Sequence, residues 1–204
     1  MIAMILTGFF FILGVVPTGA YSLPRQGNKQ IDQNVTSFEL RQNKRVDVFD
    51  FTGEYTNLEN IDIDGRRLRE VEMLLVGEYP LLTSINYDGG LGAIKGELTG
   101  RFPLLEEINF SCRAASLALD LAGIWERNCE INLSSHSAQI ILNLPKDIGV
   151  IVHTRTNLGK VIKGSLKKKG WGLLNKTYVN ELYQEAPITL VINIENKDGR
   201  IILN

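Results

Sequence analysis

A chain of 204 residues, 44% hydrophobic and 22% charged, has the makeup of an ordinary globular protein of one domain or two small ones, and not of a disordered chain. Its 22 basic and 23 acidic residues nearly cancel, which excludes the net positive field that gathers nucleic acid over a whole surface. Partner expectations therefore rest on local patches.

In chain order, the first feature is MIAMILTGFFFILGVVPTGAYSLP, which precedes the first charged residue, Arg25. The apolar run from Ile2 to Val16 is short of the roughly 20 residues that a membrane-spanning helix needs. Thr18 and Ala20 follow Pro17 as a small-x-small cleavage site. Residues 1–22 thus read as a secretory signal, with an uncleaved N-terminal membrane anchor and a buried hydrophobic strand or helix as the alternatives. Residues 23–35 read as a flexible segment. Signal and anchor alike imply an exported protein of the cell envelope, secreted or tethered.

Between Thr36 and Phe51, SFEL and RVDVFDF alternate apolar with polar residues, the period of a half-buried strand. These strands are expected to cap one end of the repeats beyond Phe51. From Gly77 the chain repeats itself every 23 residues, as GEYPLLTSINYDGGLGAIKGELT, GRFPLLEEINFSCRAASLALDLA and GIWERNCEINLSSHSAQIILNLP. A looser unit begins at Gly53 with GEYTNLENIDID and is one residue longer. Each unit holds an Ile-polar-apolar triplet (Ile61, Ile85, Ile108 and Ile131 lead them), then a small-residue turn, then a second apolar strand.

Short strands returning at a fixed period describe a solenoid, because one coil cannot bury its apolar face alone whereas stacked coils can. The predicted class is all-β, a β-solenoid or right-handed β-helix-like stack of about 23-residue coils. One domain is expected over 36–204, with repeat coils in 53–145 and a capping part in 146–204. The isoleucines form an inward ladder, and Asp62, Asn86, Asn109 and Asn132 form one on the opposite, solvated face. INIENKDGRIILN from Ile192 repeats INLSSHSAQIILN from Ile131, so the coil motif returns after an excursion, roughly 160–187.

Here the residues resemble a family. The stretch LNLPKDIGVIVHTRTNLGKV (142–161), a loop, YVNELYQEA (178–186) and a last strand pair look like the toast-rack family, which is similar to the C-terminal domain of LiaF-type bacterial cell-envelope proteins. The best-matched residues are Leu144-Pro145, Gly149-Val150, Leu158-Gly159, Tyr178-Val179-Asn180 and Tyr183. The resemblance covers most of 45–204. It implies a solenoid-like fold at the bacterial envelope and a link to envelope stress signalling, and it implies no reaction.

The candidate chemistry is sparse. Gly89-Gly90-Leu91-Gly92 lacks the following helix that a phosphate-cradling loop needs, and it falls in the turn column with Cys112–Ala115 and Ser135–Ala138. His136 and His153 have no metal-ligand or nucleophile motif beside them. The register separates Cys112 from Cys129, so two unpaired thiols are expected. Glu107 and Glu130 share a column, as do Glu97 and Asp120; such pairs can hold a cation or serve acid and base roles on a glycan.

The stretch KVIKGSLKKKGWGLLNKTY carries Lys163, Lys167, Lys168, Lys169 and Trp171, with Lys160 and Lys176 at its flanks. It is the best candidate for binding an anionic lipid or wall polymer, the bland reading being a solvated loop. No motif calls for a cofactor. The expected function is a non-enzymatic extracytoplasmic interaction or scaffold module, with an envelope protein, an anionic lipid or wall polymer, or a second copy as partner. The alternative is a glycan-active enzyme using Glu107 and Glu130, which a groove lined by aromatics around that pair would favour.

Overall fold

The computed structural model describes residues 28–41, 46–170, 172 and 174–204. The apolar segment 1–22, with its export and anchor readings, lies outside them. Every regular element among the described residues is a strand, so none of them forms a helix long and apolar enough to cross a membrane. The chain opens with β1 (Asn28–Gln30), β2 (Ser37–Arg41), β3 (Val46–Asp50) and β4 (Gly53–Glu54). Three coils follow: β5 (Asn60–Gly65), β6 (Glu70–Leu75) and β7 (Gly77–Glu78); β8 (Ser84–Gly89), β9 (Leu91–Leu98) and β10 (Arg101–Phe102); β11 (Glu107–Cys112), β12 (Ala114–Asp120) and β13 (Ile124–Trp125). Then come β14 (Cys129–Ser135), β15 (Gln139–Asn143), β16 (Gly149–Arg155), β17 (Val161–Ile162), β18 (Lys167–Lys169), β19 (Asn175–Val179), β20 (Thr189–Asn196) and β21 (Ile201–Leu203).

Each full coil places one strand in each of three sheets, so the predicted β-solenoid-like stack is what the chain builds. Among the described residues, one sheet has eight strands in the order β1-β3-β6-β9-β12-β15-β21-β17. A second has nine, β18-β19-β16-β20-β14-β11-β8-β5-β2. A corner sheet has four, β13-β10-β7-β4. Pairings are parallel except where β19 meets β16 and β18. Residues 28–35, read as part of a flexible segment, instead include β1, paired with β3, and the buried Ile31. Ile31 joins the hydrophobic core, and its N–H donates to the Asp50 carbonyl at 3.3 Å.

The registers are those of the repeat. Ile61, Ile85, Ile108 and Ile131 are Cα partners in succession, with Phe38 beneath and Ile192 and Val152 above. All except Phe38, itself buried, are fully excluded from solvent; each contributes about 1.5–3 kcal/mol by leaving water. The extra residue of the 53–76 unit sits in one turn: Gly65 pairs with Gly89, yet Glu70 pairs with Ala93. The turn Arg66–Arg69 absorbs it and buries Leu68.

The corner explains the spelling Gly-x-aromatic. Tyr55, Tyr79, Phe102 and Trp125 form one buried column with ring centroids 5.8, 5.3 and 5.2 Å apart. Their polar atoms are satisfied by carbonyls, Tyr55 by Ile31, Tyr79 by Phe51 and Trp125 by Leu121. The preceding glycines let the next coil settle onto these rings. A Cβ on Gly100 would lie 2.6 Å from the Tyr79 ring, and one on Gly123 2.8 Å from Phe102. Gly77 adds a φ of +152° and a Cβ position 1.8 Å from the Gly53 carbonyl oxygen.

One expectation needs correction. The excursion begins after β15 rather than near Lys160. β16 and β17 skip a slot in the stack, β18 and β19 turn back as an antiparallel hairpin, and β20–β21 then fill the skipped slot, between β14 and β16 in one sheet and between β15 and β17 in the other. The physical reason is that Ile192, Ile194 and Leu203 continue the inward columns of Ile131, Leu133 and Leu142.

Gly77→Ala is expected to destabilise the chain by more than about 2 kcal/mol in urea denaturation, because both its backbone angle and its contact oppose a side chain. A loss below about 0.5 kcal/mol would contradict the corner as described.

Candidate functional site

The outward face of the nine-stranded sheet carries a side-chain amide ladder. Asn86 Nδ2 donates to Asp62 Oδ1 at 2.8 Å, Asn109 to Asn86 at 2.9 Å and Asn132 to Asn109 at 3.1 Å. The sequence places these four residues in one column; the structure adds Asn193, which donates to Asn132 Oδ1 and to Glu130 Oε1, both at 2.9 Å. Every amide points the same way, so the chain of dipoles starts on a carboxylate and ends on the Asn193 carbonyl oxygen. Aligned amides polarise one another, which stiffens the face.

That end of the ladder opens into a groove of about 400 Å³. Its outward-facing lining comes in pairs from four neighbouring strands: Asn132 and Ser134 of β14, Asn193 and Glu195 of β20, His153 and Arg155 of β16, and Asn175 and Thr177 of β19. His153 Nδ1 is 3.1 Å from Thr177 Oγ1, and Arg155 lies 3.6 Å from Glu195. Ser134 is separated from His153 by β20, so no Ser–His nucleophile pair forms. Among the described residues, no aromatic side chain lines the groove. The described residues contain no cluster of metal-ligating groups.

Each of the sequence candidates has a definite place in the fold. Glu107 and Glu130 are Cα partners on the exposed face, outside the groove, and Glu130 is occupied by Asn193. Asp120, in register with Glu97, accepts from Asn143 at 2.9 Å. His136 is exposed in a turn. The Gly-rich turn is a packing device: a Cβ on Gly89 would meet the Tyr87 ring at 2.3 Å, and one on Gly92 the Arg69 carbonyl oxygen at 2.1 Å. Cys112 and Cys129 are unpaired and buried. Burial, with Glu107 and Glu130 adding to it, pushes the Cys129 thiol up to about 12, and burial raises Cys112 too. Both are neutral, poor nucleophiles near pH 7.

The lysine stretch forms the rim of the stack. β18 is three exposed lysines at the edge of the nine-stranded sheet, paired among the described residues only with β19. Lys163 Nζ donates to the Leu166 carbonyl at 2.6 Å, Lys167 lies 3.2 Å from Glu181, and Lys169 Nζ is 4.8 Å from the Tyr183 ring centroid. Lys168 is exposed between them. Trp171 lies outside the described residues. The structure therefore brings the lysines to one edge, and it adds a groove that sequence reading did not find. Asn193 was within reach through the repeat of Asn132, but the strands on its far side, β16 and β19, follow from the skipped slot.

No family model and no curated protein matches the chain, so the toast-rack resemblance rests on its quoted residues alone. Among solved structures, the chain is similar to one described as a putative cell adhesion protein from Clostridium sporogenes. The match has 23% identity and a TM-score of 0.53, over 66% of this chain and 55% of that one. The likeness shows a shared fold, and the chain spans about half the length of that neighbour.

Lysines on an edge strand oppose pairing with a further strand. Replacing Lys167, Lys168 and Lys169 together with Gln is expected to leave the circular-dichroism spectrum unchanged while raising concentration-dependent light scattering. Scattering equal to that of the parent chain would remove this role.

Proposed function

We propose that the chain is a non-enzymatic binding module of the cell exterior, and that the groove over β14, β20, β16 and β19 holds a neutral, hydroxyl-rich chain such as a surface glycan. The observation that carries this reading is the groove's lining. Carboxamides (Asn132, Asn175 and Asn193) and hydroxyls (Ser134 and Thr177) each both give and take hydrogen bonds, which matches the paired donors and acceptors of sugar hydroxyls. Arg155 faces Glu195 at 3.6 Å, which lowers what an anion gains from that guanidinium. The amide ladder supplies the rigidity that lowers the ordering cost of binding.

Two further points support the reading. The place of Glu107 and Glu130 outside the groove, with Glu130 bonded to Asn193, favours binding over glycan cleavage. The apolar N-terminal segment and the neighbour's description as a putative cell adhesion protein favour an exterior location. We prefer the groove to the lysine edge as the ligand site because its polar side chains converge on one concavity from four strands, whereas Lys167, Lys168 and Lys169 lie exposed along an edge strand.

Affinity electrophoresis through immobilised neutral polysaccharides, with isolated cell-wall glycan as a further matrix, tests this. Retardation that survives high salt is expected. Asn193→Ala combined with Thr177→Ala should weaken it about tenfold or more, and Lys167, Lys168 and Lys169→Gln should leave it unchanged. Free migration on every matrix would overturn the proposal. So would release of reducing ends, or loss of binding only in the lysine variant.

A further inference from the structure

The strands laid down last in the chain are not last in the stack. β20 hydrogen-bonds to β14 on one side and β16 on the other, and β21 to β15 and β17. Without residues 189–203, the coil of β14 and β15 would face that of β16 and β17 across an empty strand position, with unpaired backbone along both walls. Such a slot is a template for a strand pair of one register only, because inward Ile192, Ile194 and Leu203 must meet the core.

The insert is gripped at its far corner as well as along its edges. Asn196, fully buried, donates from Nδ2 to the Ala138 carbonyl at 2.8 Å and accepts at Oδ1 from the Ala138 N–H at 3.2 Å. The Ile140 N–H reaches the Arg200 carbonyl at 2.8 Å, and the Ile201 N–H that of Lys160 at 2.9 Å. None of these contacts depends on which chain supplies the strands.

The linker to the insert is where tension is concentrated. Between β19 and β20 the chain makes a tight turn over Glu181–Glu185, in which Gln184 has a φ of 76°, the one positive value at a non-glycine among the described residues. A left-handed glutamine raises the energy of the closed linker, and Pro187 stiffens its exit. A linker of this kind relaxes when it is extended, which favours delivery of the strands to a neighbouring molecule.

We propose that two copies of this chain exchange β20 and β21, each filling the other's slot, to form a strand-swapped dimer. The same pairings hold both forms together; the dimer gains by opening two strained turns, and the monomer gains by avoiding the entropy of association. The proposal does not rest on the reading of the groove, although a swapped dimer would complete each groove with Asn193 and Glu195 of the second copy.

The test uses the full chain. Ser134 and Glu195 are exposed Cα partners on β14 and β20, at a spacing suited to a disulfide. A Ser134→Cys copy and a Glu195→Cys copy carrying tags of different mass are refolded together at high concentration and oxidised. A mixed disulfide between the two tags is expected, in a species of dimer mass by light scattering. Gln184→Gly, which relieves the closed turn, should weaken dimerisation of the parent chain about tenfold or more.

A chain carrying both cysteines serves as the control, since its linkage, within a monomer or across a dimer, verifies the register. If that control links, two results each refute the exchange: a parent chain that is monomeric at every concentration, or a dimer in which the mixed disulfide does not form. Failure of the control to link refutes the register, and with it the proposal.

Discussion

The whole structure depends on one spacing constraint. Parallel coils lie one strand apart, about 4.8 Å, so each residue lands on its counterpart one period away and must tolerate it. At the corner this constraint takes its sharpest form. A ring from one coil lies under a glycine of the next, so that Tyr79 sits beneath Gly100 and Phe102 beneath Gly123. Stacked rings of this kind add about 0.5–1.5 kcal/mol per pair beyond the burial itself. A side chain at the glycine would pry the coils apart and cost the ladders on every other face.

The same constraint acts on polar positions, and there it generates the surface. Like residues stacked at one spacing repel when charged and bond when they are amides. The Asn86, Asn109, Asn132 and Asn193 column is thus self-satisfying, and some charged columns are broken by opposite partners while Glu107–Glu130 and Glu97–Asp120 keep like charges in register on the solvated surface. Arg101 lies between Glu78 and Glu126, and Lys95 lies beside Glu72. The outward face is consequently rigid where it meets the groove.

This constraint also explains what could be read from the sequence. The period of 23, the isoleucine column and the separation of Cys112 from Cys129 all follow from comparing a coil with its neighbour, and the registers agree with them. The order of the coils after β15 was out of reach, because INIENKDGRIILN and GVIVHT are both acceptable next strands by pattern. The choice between them depends on how Asn196 and Gly199 fit around Ala138, a contact between residues 58 apart in the chain. The groove escaped notice for the same reason, since half of its lining comes from β16, which skips the slot, and β19, which turns back beside it. The lysines were visible as a cluster, but their place on an edge strand was not.

The fold and the groove both rest on the interleaving of β20 between β14 and β16. Native-state hydrogen exchange measures it directly. The backbone amides of β20 are expected to exchange only through global unfolding, with the same opening free energy as those of β11 and β14. Exchange of the β20 amides at the faster rate of the β18–β19 hairpin would mean that the strand lies at an edge, and would contradict the interleaved stack.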